Sequence, residues 1–317
     1  MGSPSGLDFV QQVLRFGLIA VLGCWPALAV HANEPAQPTL FDAFLAVDIQ
    51  FLDAAQIPAA RSAFEALVRK ASPCGTGVEP SQERAGCVVD ALFASGELET
   101  VAEPGDPESS TVTSALVARR GNCAGLTALV LAVAERVNVP MEAIVFPSHV
   151  VVRAPGSDDH VFELLQRGAR LPMTQLRSQL GAEGAHDTRV RSEAFPAFYL
   201  DNFAVRFSEA GNGDRAEALF QSAIEAAPRV SRIRSDYGTF LLGKNRFALA
   251  KDQLQRAVRL DSRNAPAWVN LGVVLARLGD TAGAVRCFKR ALRYDAGNRL
   301  ASENLRILEG AGPPRPR

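Results

Sequence analysis

The last third of the chain repeats itself at an interval of 34 residues. At this offset small residues match small residues and bulky ones match bulky ones: Ala216, Ala250 and Ala284; Phe220, Leu254 and Phe288; Ala223, Ala257 and Ala291; Gly238 and Gly272. Small residues let paired helices approach closely, and bulky residues fill the groove between them. Because one such pair cannot bury its apolar face alone, the period predicts helical pairs stacked into an all-α solenoid.

The same region resembles the tetratricopeptide repeat. The positions that carry the resemblance are Trp268, Leu271, Gly272, Ala284, Phe288 and Ala291. Three repeats over about 197–298, with a capping helix, form a predicted domain at 197–308, and 309–317 is predicted to be a frayed tail. The resemblance implies that the groove of the solenoid binds a protein or peptide partner.

A second feature lies in the middle of the chain, where Asn122 and Cys123 precede an apolar run. The bulky residues of this run recur at helical spacing: Leu126, Leu129, Val130, Val133 and Val137. Since alanine is the commonest residue between them, the predicted helix is apolar nearly all round and belongs in a core. Asn122 can cap this helix. The Cys123 thiol then lies at the positive end of the helix, where the thiolate form is favoured.

His149 and Glu163 follow this helix on a predicted small antiparallel sheet. Its parts are strands at 143–146, 149–153 and 161–165, with a turn at 154–160. If the turn closes a hairpin, His149 and Glu163 are cross-strand neighbours. An acyl-transfer cysteine needs a base within hydrogen-bond reach and a third group that orients the base. The arrangement therefore predicts an α+β domain with a cysteine–histidine site, in which the Cys123 amide is the expected oxyanion donor.

The rest of the predicted domain is mostly helical. Helical patterns cover 40–71, 87–93 and 113–118. The stretch from Gly96 to Ser110, rich in Glu, Pro and Asp, predicts an exposed loop. Residues 168–192 predict an irregular or short helical connection.

Two segments together resemble the bacterial transglutaminase-like family, in the branch that is coupled to C-terminal tetratricopeptide repeats. They are Leu116-Val-Ala-Arg-Arg-Gly-Asn-Cys-Ala-Gly-Leu-Thr-Ala-Leu129 and Phe146-Pro-Ser-His-Val-Val-Val-Arg153. The resemblance covers about residues 40–180 and the repeats. It implies an α+β papain-like, transglutaminase-like domain over 33–190, followed by the all-α tetratricopeptide solenoid.

The resemblance also implies a role for each candidate site residue. Cys123 matches the family's nucleophile, His149 its base, and Glu163 its acidic residue. Asp158 and Asp159, in the turn, fit the acidic position less well.

Two classes of function stay open at this point. The first is an exported cysteine acyl-transfer enzyme, either a peptidase or amidase or a protein crosslinker, with the repeats recruiting the substrate. The second is a non-catalytic adaptor that binds its partner in the tetratricopeptide groove. No cofactor is predicted, and no metal-ligand spacing, phosphate loop or nucleotide motif stands out.

Four further polar residues have less specific predictions. His160 and His186 lie in polar stretches and are predicted to be solvated. Arg119 and Arg120 either bind a substrate carboxylate or form a surface charge pair.

The amino-terminal segment predicts export. An apolar run of 15 residues, Phe16–Val30, follows Arg15 and precedes His31-Ala32, as in a secretory signal peptide over 1–32. Val21-Leu-Gly-Cys24 also resembles a lipoprotein box, so lipid attachment at Cys24 is an alternative, and a buried helix, which Pro26 disfavours, is another. The expected location is periplasmic or secreted, or else a lipoprotein of the inner or outer membrane.

Charge and hydropathy restrict the partners. With 34 basic and 34 acidic residues, the chain offers no electrostatic case for a nucleic-acid partner. Nothing after residue 40 resembles a membrane span.

Cysteine usage agrees with a reactive thiol at 123. Cys74 and Cys87 flank a loop-like stretch and either form a disulfide in an oxidising compartment or stay reduced. Cys287 lies on an apolar helix face and is predicted to be an inert core residue. Cys123 is then left unpaired, as a nucleophile requires.

Overall fold

The computed structural model describes residues 38–310, except 51, 77–80, 95, 97, 102–109, 147–148, 158 and 181–186. The described residues form two compact units, the first ending at Phe203 and the second beginning at Ala204. The predicted signal peptide with Cys24, most of the predicted loop at 96–110, and the tail from 311 onward lie outside the described residues.

The first unit has helices α1–α6 and the beginning of α7. They are α1 (Leu40–Asp48), α2 (Ile57–Gly75), α3 (Ser81–Phe93), α4 (Val112–Val117), α5 (Cys123–Arg136), α6 (Met173–Gln179) and α7 (Phe195–Glu209, in this unit as far as Phe203). Helix α3 begins at Ser81, inside the stretch expected to be a loop, rather than at Cys87 as predicted. Glu83 in its first turn favours this earlier beginning, because a negative charge stabilises the N-terminus of a helix. The predicted helical region at 40–71 is divided by a 3₁₀ turn, Ala54–Gln56.

Helix α5 lies at the centre of this unit. Every residue from Ala124 to Ala134 is buried, as its apolar composition predicts. Strand β4 (Val150–Arg153) packs against it, and so do α1, α2, α3 and α4. The helix therefore positions Cys123 from the core rather than from a surface loop.

The sheet of this unit is antiparallel and has five strands in the order β6-β5-β4-β3-β7. The strands are β3 (Glu142–Val145), β4 (Val150–Arg153), β5 (His160–Glu163), β6 (Ala169–Pro172) and β7 (Thr188–Arg191); a separate short parallel pair joins β1 (Glu99–Thr100) to β2 (Arg120–Gly121). The irregular or short helical connection predicted at 168–192 is confirmed at the short helix α6 but is wrong where β6 and β7 form. These edge strands carry arginine, proline and threonine and are only partly buried, so they lack an apolar alternation.

A disulfide joins Cys74 in α2 to Cys87 in α3, with their Cα atoms 5.6 Å apart. The two cysteines are 13 positions apart in the sequence, and the disulfide joins the two helices directly. Of the two alternatives that the sequence leaves open, the structure has the bonded form.

Replacing both Cys74 and Cys87 with serine is expected to lower the free energy of unfolding by about 3 kcal/mol, because the unfolded chain gains the entropy of an open loop. Urea denaturation of the oxidised protein measures this change. A reducing agent should destabilise the wild type equally and leave the double variant unchanged. Equal stabilities of the oxidised wild type and the variant would contradict the prediction.

The second unit is a stack of helical pairs. After α7 come α8 (Gly213–Ala226), α9 (Ser231–Gly243), α10 (Phe247–Leu260), α11 (Ala265–Arg277), α12 (Thr281–Tyr294) and α13 (Arg299–Leu308). The matched glycines explain the packing: a Cβ on Gly238 would come within 2.6 Å of Leu254, and one on Gly272 within 2.7 Å of Phe288. Bulky residues of each second helix thus pack directly on the glycine of the first.

Gly272→Ala is expected to destabilise the second unit by about 2 kcal/mol, because the added methyl overlaps the Phe288 ring. The loss should exceed the gain in helix propensity that alanine brings. Gly243→Ala is the matched control, since its Cβ would meet no atom within 4 Å. Thermal unfolding of both variants tests the prediction, and a Gly272→Ala protein as stable as the control would refute it.

Candidate active site

Asn122 fixes the beginning of helix α5. Its Oδ1 accepts the amide hydrogens of Ala124 and Gly125 at 3.0 and 3.1 Å, as the predicted cap requires. Its Nδ2 donates to Ser110 Oγ at 2.6 Å, and the Asn122 side chain is buried. Cys123, the first residue of α5, is therefore held by a fully bonded cap.

His149 and Glu163 are joined by a short hydrogen bond. His149 Nε2 and Glu163 Oε2 are 2.6 Å apart, with the two side chains 9% and 4% exposed. His149 precedes β4, and Glu163 ends β5. The strands pair at Val152 and Phe162, so extending this register places Glu163 and His149 diagonally on one face rather than directly opposite.

The second oxygen of Glu163 is also bound. Glu163 Oε1 accepts the Leu165 amide hydrogen at 2.9 Å, and so caps the 3₁₀ turn Leu164–Gln166. The Glu163 carbonyl oxygen accepts the Gly168 amide hydrogen at 2.9 Å. The carboxylate is consequently fixed in the orientation in which it meets His149.

The Cys123 side chain lies close enough to His149 to contribute to the pKa of the imidazole. Because Nε2 is bound to Glu163, Nδ1 is the nitrogen available to the thiol. Burial on its own lowers the pKa of His149, but the interactions of the imidazole with Cys123 and Glu163 outweigh burial and raise this pKa to about 9. The imidazole thus favours its protonated form at neutral pH.

The chain places a thiol, an imidazole and a carboxylate in series. Cys123 is partly exposed, whereas the Glu163 side chain is buried and His149 nearly so. Among the residues that the structure describes, the Cys123 amide has no hydrogen-bond acceptor. Such a series can activate a thiol and transfer protons to and from a bound group.

Comparison with known proteins identifies both units. A family model for the transglutaminase-like superfamily matches residues 59–206, and one for the tetratricopeptide repeat matches 202–250 and 238–301. The chain carries a transglutaminase-like domain followed by tetratricopeptide repeats. The architecture predicted from the sequence is thereby confirmed.

Individual relatives are distant. The UPF0162 protein of Xylella fastidiosa strain Temecula1 is 25% identical over 187 residues, which span 55% of this chain and 65% of the relative. Human tetratricopeptide repeat protein 7A is 34% identical over 88 residues, covering 28% of this chain and 10% of that protein. Among solved structures, the first tetratricopeptide domain of human RPAP3 has a TM-score of 0.35 at 21% identity, covering 36% of this chain and 91% of that one. Pseudomonas aeruginosa pilF has a TM-score of 0.34 at 21% identity, covering 42% of this chain and 60% of that one.

The other described polar residues that the sequence singled out in this domain stay outside this series. Asp158 and His186 lie outside the described residues. Asp159 contributes its carbonyl oxygen to the Met173 amide, and His160 is partly buried at the beginning of β5 rather than solvated. Arg120 lies on the surface, with its Nε 4.0 Å from Glu99 Oε2. Of its two predicted roles, this is the surface charge pair. Arg119 has a left-handed backbone, with φ of 53°.

Gly125 is a residue of the transglutaminase-like domain that sequence analysis missed. A Cβ at this position would come within 2.9 Å of the carbonyl oxygens of Ser110 and Thr111. The first turn of α5 therefore packs directly against that segment. A small residue two positions after Cys123 is the one sequence signal that could have indicated this close approach.

A buried network behind the site was also missed. Tyr199 Oη donates to Asp48 Oδ1 at 2.8 Å and accepts the Val112 amide hydrogen at 2.7 Å, while Asp48 Oδ2 accepts the Thr113 amide hydrogen at 2.8 Å. Burial raises the pKa of Asp48 to about 7, against the opposing effect of these hydrogen bonds. The network fixes the beginning of α4, the helix that leads into Asn122. No sequence pattern pairs residues this far apart.

The described residues also bear on metal binding and on membrane insertion. Within them, no group of three or more His, Cys, Asp or Glu side chains is placed to hold a metal ion. In the same part of the chain, no helix has the length and apolar character needed to cross a membrane.

Proposed function

We propose that the transglutaminase-like domain catalyses acyl transfer through Cys123. The observation that carries this proposal is the placement of His149 between the Cys123 thiol and the Glu163 carboxylate, to which it is bound at 2.6 Å. In this role Cys123 is the nucleophile, His149 the proton carrier, and Glu163 the group that orients the imidazole.

The chemistry follows from these positions. The Cys123 thiolate attacks the carbonyl carbon of an amide, and the Cys123 backbone N–H donates to the oxygen that becomes negative. As the tetrahedral intermediate collapses, the C–N bond breaks and protonated His149 gives its proton to the leaving amine. A thioester and a neutral imidazole result. His149 then takes a proton from water or from a second amine, which attacks the thioester and releases Cys123 as thiolate.

The repeats support a role in binding a protein or peptide partner. In the proposed function they recruit the substrate protein, whose amide then reaches Cys123. Hydrolysis and crosslinking share the thioester and differ in the acceptor that reaches it.

Export belongs to the same proposal. The amino-terminal apolar run and the Cys74–Cys87 disulfide both favour an oxidising compartment outside the cytoplasm. Amino-terminal sequencing and lipid analysis of the protein from fractionated cells distinguish cleavage after Ala32 from lipid attachment at Cys24. Full-length protein in the cytoplasmic fraction would refute export.

Incubation with a glutamine-containing peptide library tests acyl transfer. Ammonia release and incorporation of a fluorescent primary amine are followed for the wild type and Cys123→Ala. We expect ammonia release from the wild type, accompanied by amine incorporation if an amine rather than water attacks the thioester, and neither signal from the variant. Equal signals from both proteins would refute the proposal, and the adaptor function would then explain the chain.

A further inference from the structure

A groove of about 670 Å³ opens on the tetratricopeptide unit beside its last two complete helical pairs. Helices α10 and α12, the second helices of these pairs, contribute its walls, and α11 contributes its floor. The first helices of these pairs, α9 and α11, contact each other, whereas the groove opens between the second helices. The groove therefore lies on the side of the second helices.

The walls of this groove are strongly basic. Helix α12 contributes Arg286, Arg290 and Arg293, which recur at helical spacing along one side, and α10 contributes Lys251 and Arg259. The lining carboxylate is Asp280, whose Oδ1 is occupied by the Gly283 amide at 2.7 Å. Because the whole chain has equal numbers of acidic and basic residues, the excess is local.

Several of these basic side chains form no ion pair with a carboxylate among the described residues. Among the described residues, no salt bridge involves Lys251, Arg286 or Arg293. Arg290 lies over the Trp268 ring, with its guanidinium carbon 5.4 Å from the ring centroid. The groove thus concentrates positive charge that the unit itself does not neutralise.

The floor is apolar and selects the occupant. The partly exposed Trp268 lines it, together with Leu271, Leu275 and Val258, which are mostly buried. An aliphatic side chain of a peptide would lose its contact with water there. A nucleic-acid backbone has no aliphatic group to bury. Arg290 already covers one face of Trp268, so that face is not free to stack on a base. A volume of this size holds the side chains of a short extended peptide.

We propose that this groove binds an acidic segment of a partner protein, with carboxylates on Arg286, Arg293 and Lys251 and an aliphatic side chain on the floor. The proposal rests on the partner-binding role of the repeats and specifies its surface and chemistry. It does not depend on acyl transfer at Cys123.

Trp268 provides the readout, because in a Trp25→Phe background it is the sole tryptophan of the full chain. The probes are an acetylated decapeptide of glutamate, aspartate and leucine and its counterpart with glutamine and asparagine. We expect the acidic peptide to change Trp268 emission saturably and to bind at least about tenfold more tightly than the neutral one. Added salt should weaken its binding.

Matched variants locate the binding site. The exposed pair Arg286→Ala and Arg293→Ala should weaken the acidic peptide at least about tenfold, whereas Arg277→Ala with Arg299→Ala, also exposed but outside the groove, should leave affinity unchanged. Any of three results would overturn the proposal. The two peptides could bind with equal affinity, or the two double variants could lose affinity equally. A single-stranded oligonucleotide could also bind more tightly than the acidic peptide. Cys123→Ala should bind the peptide normally, so failure here and failure of the proposed chemistry are distinguishable.

Discussion

Replacing His149 with alanine is expected to slow alkylation of Cys123 by iodoacetamide at about pH 6 roughly 100-fold. Since the pKa of His149 is raised to about 9, its imidazolium is present beside Cys123 at this pH, and in the proposed mechanism it assists attack by the sulfur. An ordinary cysteine thiol is only about 0.3% ionised at pH 6. Peptide mapping of the alkylated protein by mass spectrometry gives the rate at Cys123.

His160→Ala is the matched control, because His160 lies on β5 of the same domain and is not hydrogen-bonded to Cys123 or Glu163. It should leave the alkylation rate unchanged. A His149→Ala rate within about twofold of the wild type would show that the imidazole does not activate the thiol.

Glu163→Gln is expected to lower the free energy of unfolding by on the order of 3 kcal/mol at about pH 6. Glutamine keeps an acceptor for the Leu165 amide but removes the charge that helps to raise the pKa of His149. The folded pKa of about 9 exceeds the ordinary 6.5, so protonated His149 stabilises the fold fully below pH 6.5 and this stabilisation is lost as pH rises through 9. The difference between wild type and variant should shrink over the same window.

Urea denaturation at about pH 6 and about pH 9.5 measures both differences. Glu142→Gln is the control, because Glu142 is bound to Arg153 at 2.7 Å and an arginine stays protonated over this range. Its loss of stability should be the same at both pH values. If the loss of stability in Glu163→Gln does not change with pH, the prediction is wrong and the Glu163 carboxylate does not act through the titration of His149.

Local sequence patterns predicted the parts of the fold that depend on periodicity. The 34-residue period matches Gly238 with Gly272, and in the structure both lie against a bulky residue of the second helix of their pair. The apolar run after Cys123 predicts a buried helix, and Asn122 predicts its cap. Strands β6 and β7 were missed because pairing in the sheet, rather than apolar alternation, forms them.

The residues of the candidate site also divide into those that the sequence could indicate and those that it could not. Cys123, His149 and Glu163 could be chosen from the order of residues and the resemblance to a family, and the structure brings their side chains together. Gly125 and the Asp48–Tyr199 network could not be chosen. Their importance arises from close approach and burial between segments up to 151 residues apart, which no local pattern encodes.

The most direct test of the central claim is to trap the acyl group on the protein. The native protein is mixed with an activated ester, quenched in acid and mapped by mass spectrometry. We expect the acyl group on Cys123 and not on Cys287, the other free thiol of the described residues, whose pKa burial raises to about 11. The acylated fraction should fall sharply in His149→Ala. Acylation of Cys123 no faster than that of Cys287, or unaffected by the loss of His149, would contradict the proposed site.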